Sequence, residues 1–88
     1  METPGLSHVV LTAADTARSC AFYGDLLGFE ITDMPDIPGG GFYFYASGAA
    51  FFVFQSRQPI PGDRFSEFRI GLDHLSFEAP SREALAAP

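Results

Sequence analysis

Two copies of one short motif constrain this chain more than any other feature. Near the start it reads Gly5-Leu6-Ser7-His8, followed by Val9-Val10-Leu11; near the end it reads Gly71-Leu72-Asp73-His74, followed by Leu75-Ser76-Phe77. His8 and His74 lie 66 positions apart, and the same offset sets Ala13 against Ala79 and Asp15 against Ser81. Asp and Ser are both good residues to start a helix. The chain therefore begins one strand-then-helix unit twice, each time with an imidazole at the same place on the strand. Two imidazoles placed alike by a repeat point to a shared metal.

The totals bound what such a chain can do. It has 88 residues, one small domain, and 47% of them are hydrophobic, with ten Phe and three Tyr, too apolar for disorder. Its net charge is −6, with five Arg and no Lys, which argues against nucleic acid or an anionic membrane as partner. One cysteine excludes an internal disulfide. No apolar run reaches the ~18 residues of a transmembrane helix. Met1-Glu2-Thr3-Pro4 lacks the basic-then-apolar form of a signal peptide. The expectation is a soluble cytoplasmic protein that meets a small molecule.

Taken in order, Leu6 to Thr12 reads as a first strand, with Leu6, His8 and Val10 on one face and Ser7, Val9 and Leu11 on the other. Asp15 caps a helix expected to run to Leu27 and to end at Gly28. Phe22 with Leu26 and Tyr23 with Leu27 make its apolar stripe. Gly24 weakens that helix unless the backbone approaches a neighbour there. Phe29 to Thr32 alternates as a half-buried strand. Met34 to Gly41, with Gly39-Gly40-Gly41, reads as a loop able to move. Phe42 to Tyr45 and Ala49 to Gln55 are strands three and four, with a turn at Gly48. Arg57 to Ile70 is a second loop, pinned by Phe65 and Phe68. A further strand follows from Leu72 to Glu78; Pro80 stops it, Ser81 caps, and Arg82 to Ala87 starts a helix. The domain plan is a βαβββ unit over 1–56, a linker over 57–70, and the opening of a second unit over 71–88 whose remaining strands are absent. Either the protein is truncated or another chain supplies the remainder.

These residues carry a resemblance. A first-strand histidine, Phe22-Tyr23 followed by Leu27-Gly28-Phe29, an aromatic hairpin and a second Gly-Leu-x-His strand resemble the vicinal oxygen chelate superfamily. This is the group of glyoxalase I, extradiol dioxygenases, methylmalonyl-CoA epimerase, and the fosfomycin- and bleomycin-resistance proteins. The resemblance implies an α+β fold in which paired βαβββ modules curl into a cup. It implies metal ligands from the first strand of each module and from a fourth strand. His8 and His74 match the two first-strand ligands. The first module's fourth-strand carboxylate would fall near Phe52, which cannot ligate a metal. The second module's would lie about 44 residues after His74, by the spacing of His8 to Phe52. Two histidines and one carboxylate would make a facial triad for a divalent ion, with Fe(II), Mn(II), Zn(II) and Ni(II) not distinguished.

Each residue also has a plainer reading. A lone strand histidine is usually structural; a repeated pair is what favours ligation. Glu78 shares a strand face with His74, but four residues span about 13 Å, too far for one ion, so Glu78 and Ser76 are placed among the residues lining the cup. Phe52 and Phe54 share a face and are either a substrate wall or ordinary core; Tyr43 and Tyr45 raise the same question. Gln55 is a possible weak ligand, although it faces away from Phe52. Glu30 is expected at the surface. Cys20 reads as a small buried hydrophobe. Arg57, Arg64 and Arg69 flank the long loop, to meet an anionic substrate or simply to be solvated. Two functions follow, beside a plainer third reading in which this fragment does nothing alone. One is a metal-dependent lyase, isomerase or ring-cleaving dioxygenase that chelates vicinal substrate oxygens. The other is a non-catalytic protein that sequesters a small molecule, as in the bleomycin-resistance branch. A homodimer that completes the cup suits both.

Overall fold

A computed structural model of the chain describes residues 1–64, 66, 68–72 and 74–79. The fold is α+β. Its elements are β1 (His8–Ala13), α1 (Thr16–Cys20), which runs on as a π-helical segment (Ala21–Leu26), β2 (Thr32–Asp33), β3 (Gly41–Ala46) and β4 (Ala49–Gln55). The strands form one sheet in the order β1-β4-β3-β2. β1 runs parallel to β4, and the other pairings are antiparallel.

The β3–β4 hairpin is the centre of the sheet. Ser47 and Gly48 hold φ of 53° and 80° between the paired residues Ala46 and Ala49. Two consecutive left-handed residues make the turn whose twist matches that of antiparallel strands. Period-2 alternation then sends Phe42, Phe44 and Ala46 from β3, and Ala49, Phe51 and Val53 from β4, into the core. Phe44 is fully buried and stacks on Tyr23 and Phe29, with ring centroids 4.8 and 4.6 Å away, and on Phe51 at 5.4 Å. Val9, Leu11 and Ala13 of β1 pack against this cluster, as does Cys20.

The helix covers this face. The Asp15 carboxylate accepts from the Arg18 backbone N–H at 3.2 Å, as expected of an N-cap. Gly28, with φ of 81°, ends the helix in the left-handed region. Between them the winding loosens: Leu27 N–H bonds to the Phe22 carbonyl five residues back, at 3.0 Å. Gly24 earns its place here. A Cβ on it would meet Ile31 Cγ1 at 2.9 Å, so the backbone approaches a neighbour as the sequence suggested. The wider turn also changes which side chains face the sheet. Tyr23 packs on the core, while Phe22, Leu26 and Leu27 stay exposed, so the expected four-residue stripe is used only in part.

Other expectations need correction. The strand read from Phe29 to Thr32 pairs only at Thr32 and Asp33. Phe29 and Ile31 still alternate inward with Glu30 outward, but they pack on the core without joining a ladder. The loop read over Met34 to Gly41 holds up to Gly40, and Gly41 already belongs to β3. Gly40 N–H closes a turn on the Ile37 carbonyl at 2.8 Å, and Gly41 is buried at the start of β3. Phe68 does not pin the second loop, being 90% exposed, and Phe65 lies outside the described residues. The strand expected over 72–78 is absent from the described residues of that segment. Instead Phe77 sets its ring edge-on to Phe29 and Phe51, at 5.5 and 5.4 Å. The expected stop at Pro80, cap at Ser81 and helix from Arg82 to Ala87 lie outside the described residues.

Candidate functional site

Helix and core occupy one face of the sheet. The residues between the core positions therefore form the other face: His8, Val10 and Thr12 from β1, Tyr43 and Tyr45 from β3, and Ala50, Phe52 and Phe54 from β4. Register aligns them in rows. Val10 pairs with Phe52, which pairs with Tyr43; His8 pairs with Ala50, which pairs with Tyr45; Thr12 pairs with Phe54, which pairs with Gly41.

The aromatic members of this face touch in a chain. The His8 ring stands edge-on to Phe52, with centroids 6.1 Å apart and an interplanar angle of 87°. Phe52 meets Tyr43 at 5.6 Å and Phe54 at 6.0 Å. Tyr43 meets Tyr45 edge-on at 5.8 Å. Phe52 and Phe54 are half-buried against these neighbours, whereas Tyr45 is 67% exposed and Val10 51%. Gly41 makes room for the wall, because a Cβ there would meet Phe54 Cδ1 at 2.7 Å and the Val53 carbonyl oxygen at 2.9 Å.

His8 sits at the rim of this surface, on an edge strand. Its Nδ1 lies 3.2 Å from Ser7 Oγ. When Ser7 accepts from Nδ1–H, Nε2 is left with the lone pair that a metal or a substrate proton needs. The other sequence-selected residues lie elsewhere. His74 and Glu78 are exposed and outside any strand. Ser76 lines a small recess with Leu6, Phe51 and Phe77, beside the Ala46–Ala49 turn. Among the described residues no three His, Cys, Asp or Glu side chains gather to hold a metal ion. The described strands give this face one imidazole beside the hydroxyls of Thr12, Tyr43 and Tyr45 and no carboxylate, so an imidazole- and carboxylate-bound metal there requires ligands from beyond these strands.

Gln55 has a structural task instead of a ligand's. Its Nε2 donates to the Ala14 carbonyl at 2.6 Å and its Oε1 accepts from Thr16 N–H at 3.0 Å. It thereby ties the end of β4 to the first turn of α1. A polar residue that continues the inward parity of Phe51 and Val53 was the sequence signal for this role.

The family model of the Glyoxalase/Bleomycin resistance protein/Dioxygenase superfamily matches residues 5–87. The chain belongs to that superfamily. Solved structures share its fold. The crystal structure of SMU.1112c is 26% identical, with a TM-score of 0.74, over 96% of this chain and 71% of its own. The integron cassette protein VCH_CASS1 from the mobile metagenome of V. cholerae is 22% identical, with a TM-score of 0.66, over 98% of this chain and 66% of its own. A protein from Bacillus anthracis assigned to the glyoxalase family is 23% identical, with a TM-score of 0.53, over 74% of this chain and 57% of its own. The chain thus spans between 57% and 71% of the length of these solved structures. No curated protein matches it. No helix among the described residues is long and apolar enough to cross a membrane.

Proposed function

We propose that the uncovered face is one wall of a small-molecule cup, and that the protein acts as a glyoxalase- or dioxygenase-like enzyme with His8 and His74 as ligands to a divalent metal. One observation carries the reading: a histidine stands edge-on to an unbroken run of aromatic rings on the sheet face opposite the described helix. The residues divide the work. Phe52, Phe54 and Tyr43 offer flat apolar surface and exclude water from one side of a bound ligand. With the Ser7 hydroxyl accepting from Nδ1–H, His8 would present the Nε2 lone pair at the rim. A divalent ion bound there supplies Lewis acidity toward two adjacent substrate oxygens. The reaction class is a lyase, an isomerase or a ring-cleaving dioxygenase. Phe52 occupies the fourth-strand position where the resemblance puts an acid in the first unit. The carboxylate ligand therefore belongs to the second unit or to a second copy of the chain, and a homodimer that closes the cup supplies it in the latter case.

Divalent-metal titration by calorimetry tests this. Wild-type protein is expected to bind Mn(II), Ni(II) or Zn(II), and His8→Ala and His74→Ala each to weaken the affinity. No binding, or binding that both substitutions leave unchanged, removes the metal from the proposal.

A second reading, sequestration of an aromatic ligand without chemistry, draws on the same wall and on Phe52 itself, an apolar residue in the place of an acid. It predicts ligand binding that neither histidine substitution nor a chelator alters.

A further inference from the structure

We infer that the ligand of this wall is an aromatic carboxylic acid, whose carboxylate is received by Arg64 in a recess at the ends of β1 and β4. This inference rests on the reading of the uncovered face as a ligand wall. The recess measures about 400 Å³ and is bounded by Thr12, Ser56, Ile60, Asp63, Arg64 and Arg69. That volume suits a small ring with one substituent. It adjoins the wall through Thr12, which pairs in register with Phe54.

The long loop is built to hold these charges. Asp63 N–H bonds to the Ile60 carbonyl at 2.9 Å, and Gly62 has φ of 76°. Proline at the second position and a left-handed glycine at the third are the marks of a type II turn over Ile60-Pro61-Gly62-Asp63. That turn carries Asp63 to Arg69, and the two form an ion pair. The same guanidinium reaches the Arg64 carbonyl oxygen at 3.4 Å. Arg69 is thus neutralised and anchors the loop. Arg64 makes no ion pair or side-chain hydrogen bond among the described residues.

Charge selects the ligand. Two guanidinium groups against one carboxylate leave the recess with one net positive charge, in a chain whose net charge is −6. One positive charge matches a monoanion. The Asp63 carboxylate disfavours a dianion such as a phosphate monoester. A planar guanidinium also suits the two oxygens of a carboxylate.

The test compares benzoate, benzamide and phenyl phosphate, with dissociation constants read from chemical-shift changes of the Tyr43, Phe52 and Phe54 rings in the full chain. Benzoate is expected to bind roughly fivefold more tightly than benzamide, the gain of one solvent-accessible ion pair, and phenyl phosphate no more tightly than benzoate. Arg64→Gln is expected to abolish the preference and leave benzamide binding unchanged, while Arg64→Lys retains part of it. Equal binding of benzoate and benzamide, or a preference that survives Arg64→Gln, overturns the carboxylate site and leaves the wall standing. Tighter binding of phenyl phosphate reassigns the recess to phosphate and overturns the carboxylate as well. Absence of any shift with all three compounds removes the wall, and this inference with it.

Discussion

The two faces of this sheet come from the same strands and nearly the same residue types, yet they do different things. On the covered face, Phe42, Phe44 and Phe51 are buried and stacked under the helix. On the other face, Tyr43, Phe52 and Phe54 form an equally continuous run that no described helix or strand covers. Aromatic content alone does not separate core from site. The separation lies in parity and in what packs above, and within the strands also in the kind of aromatic: Tyr43, Tyr45 and the one strand imidazole fall on the open side, whereas Tyr23 reaches the covered side from the helix. The open side lets the strands' polar groups meet water. Substitutions on the first face should therefore cost stability, and those on the second should cost binding.

The largest expected effect tests that division directly. Phe44→Ala empties the centre of the aromatic stack and is expected to cost about 3–5 kcal/mol. For a domain this small that approaches the whole stability. Phe52→Ala, one face over and only half-buried, is expected to cost about 1 kcal/mol and to abolish the aromatic ligand's binding. Urea denaturation of both variants checks the contrast. Similar losses would mean that the open face is a second core.

Gly41 joins the two faces and comes next. Gly41→Ala drives a Cβ into the Phe54 ring and the Val53 carbonyl oxygen. The ring can turn aside and the carbonyl cannot, so the expected cost is about 1–3 kcal/mol. The same change should disturb the wall at Phe54. A lowered denaturation midpoint together with shifted Phe54 resonances is the expected result; an unchanged midpoint would show that β3 yields.

Gln55→Leu follows, at about 1 kcal/mol, because it removes two hydrogen bonds at a helix start but leaves their partners within reach of water. Thermal denaturation measures it. Metal affinity is expected to stay unchanged, which separates this capping role from the ligand role that its place near the strand end suggested.

What the sequence made legible follows from how local each signal is. β4 was readable to the residue because Gly48 and Ser56 bound a segment centred on the aromatic and β-branched run Phe51 to Phe54. The Asp15 cap and the Gly28 stop were readable because each acts on its own backbone. The π-helical winding was not, since no residue type between Ala21 and Leu26 distinguishes a bond five residues back from one four back. Leu72 to Glu78 has a strand's composition, but a strand needs a ladder partner, and composition does not supply one. At the site, parity put Phe52 and Phe54 on one face correctly, but only the sheet order placed His8 beside Phe52. The recess of Arg64 and Arg69 was visible in sequence only as arginines spaced along the long loop. Its geometry comes from a turn and an ion pair within the loop.

The smallest effect belongs to a residue that joins neither face. Phe68 is as apolar as Phe44, and hydrophobicity alone would set it against the body of the protein. Its ring is 90% exposed and makes no ring contact among the described residues. Little apolar surface leaves water when it packs, so little is lost when it goes, and Phe68→Ala is expected to change stability by less than about 0.5 kcal/mol. The same urea titration used for Phe44 and Phe52 reads it. A cost near 1 kcal/mol or more would mean that Phe68 is covered in solution. The apolar surface that covers it would then come from a second unit or a second chain, and the open face would have to be judged with that covering in place.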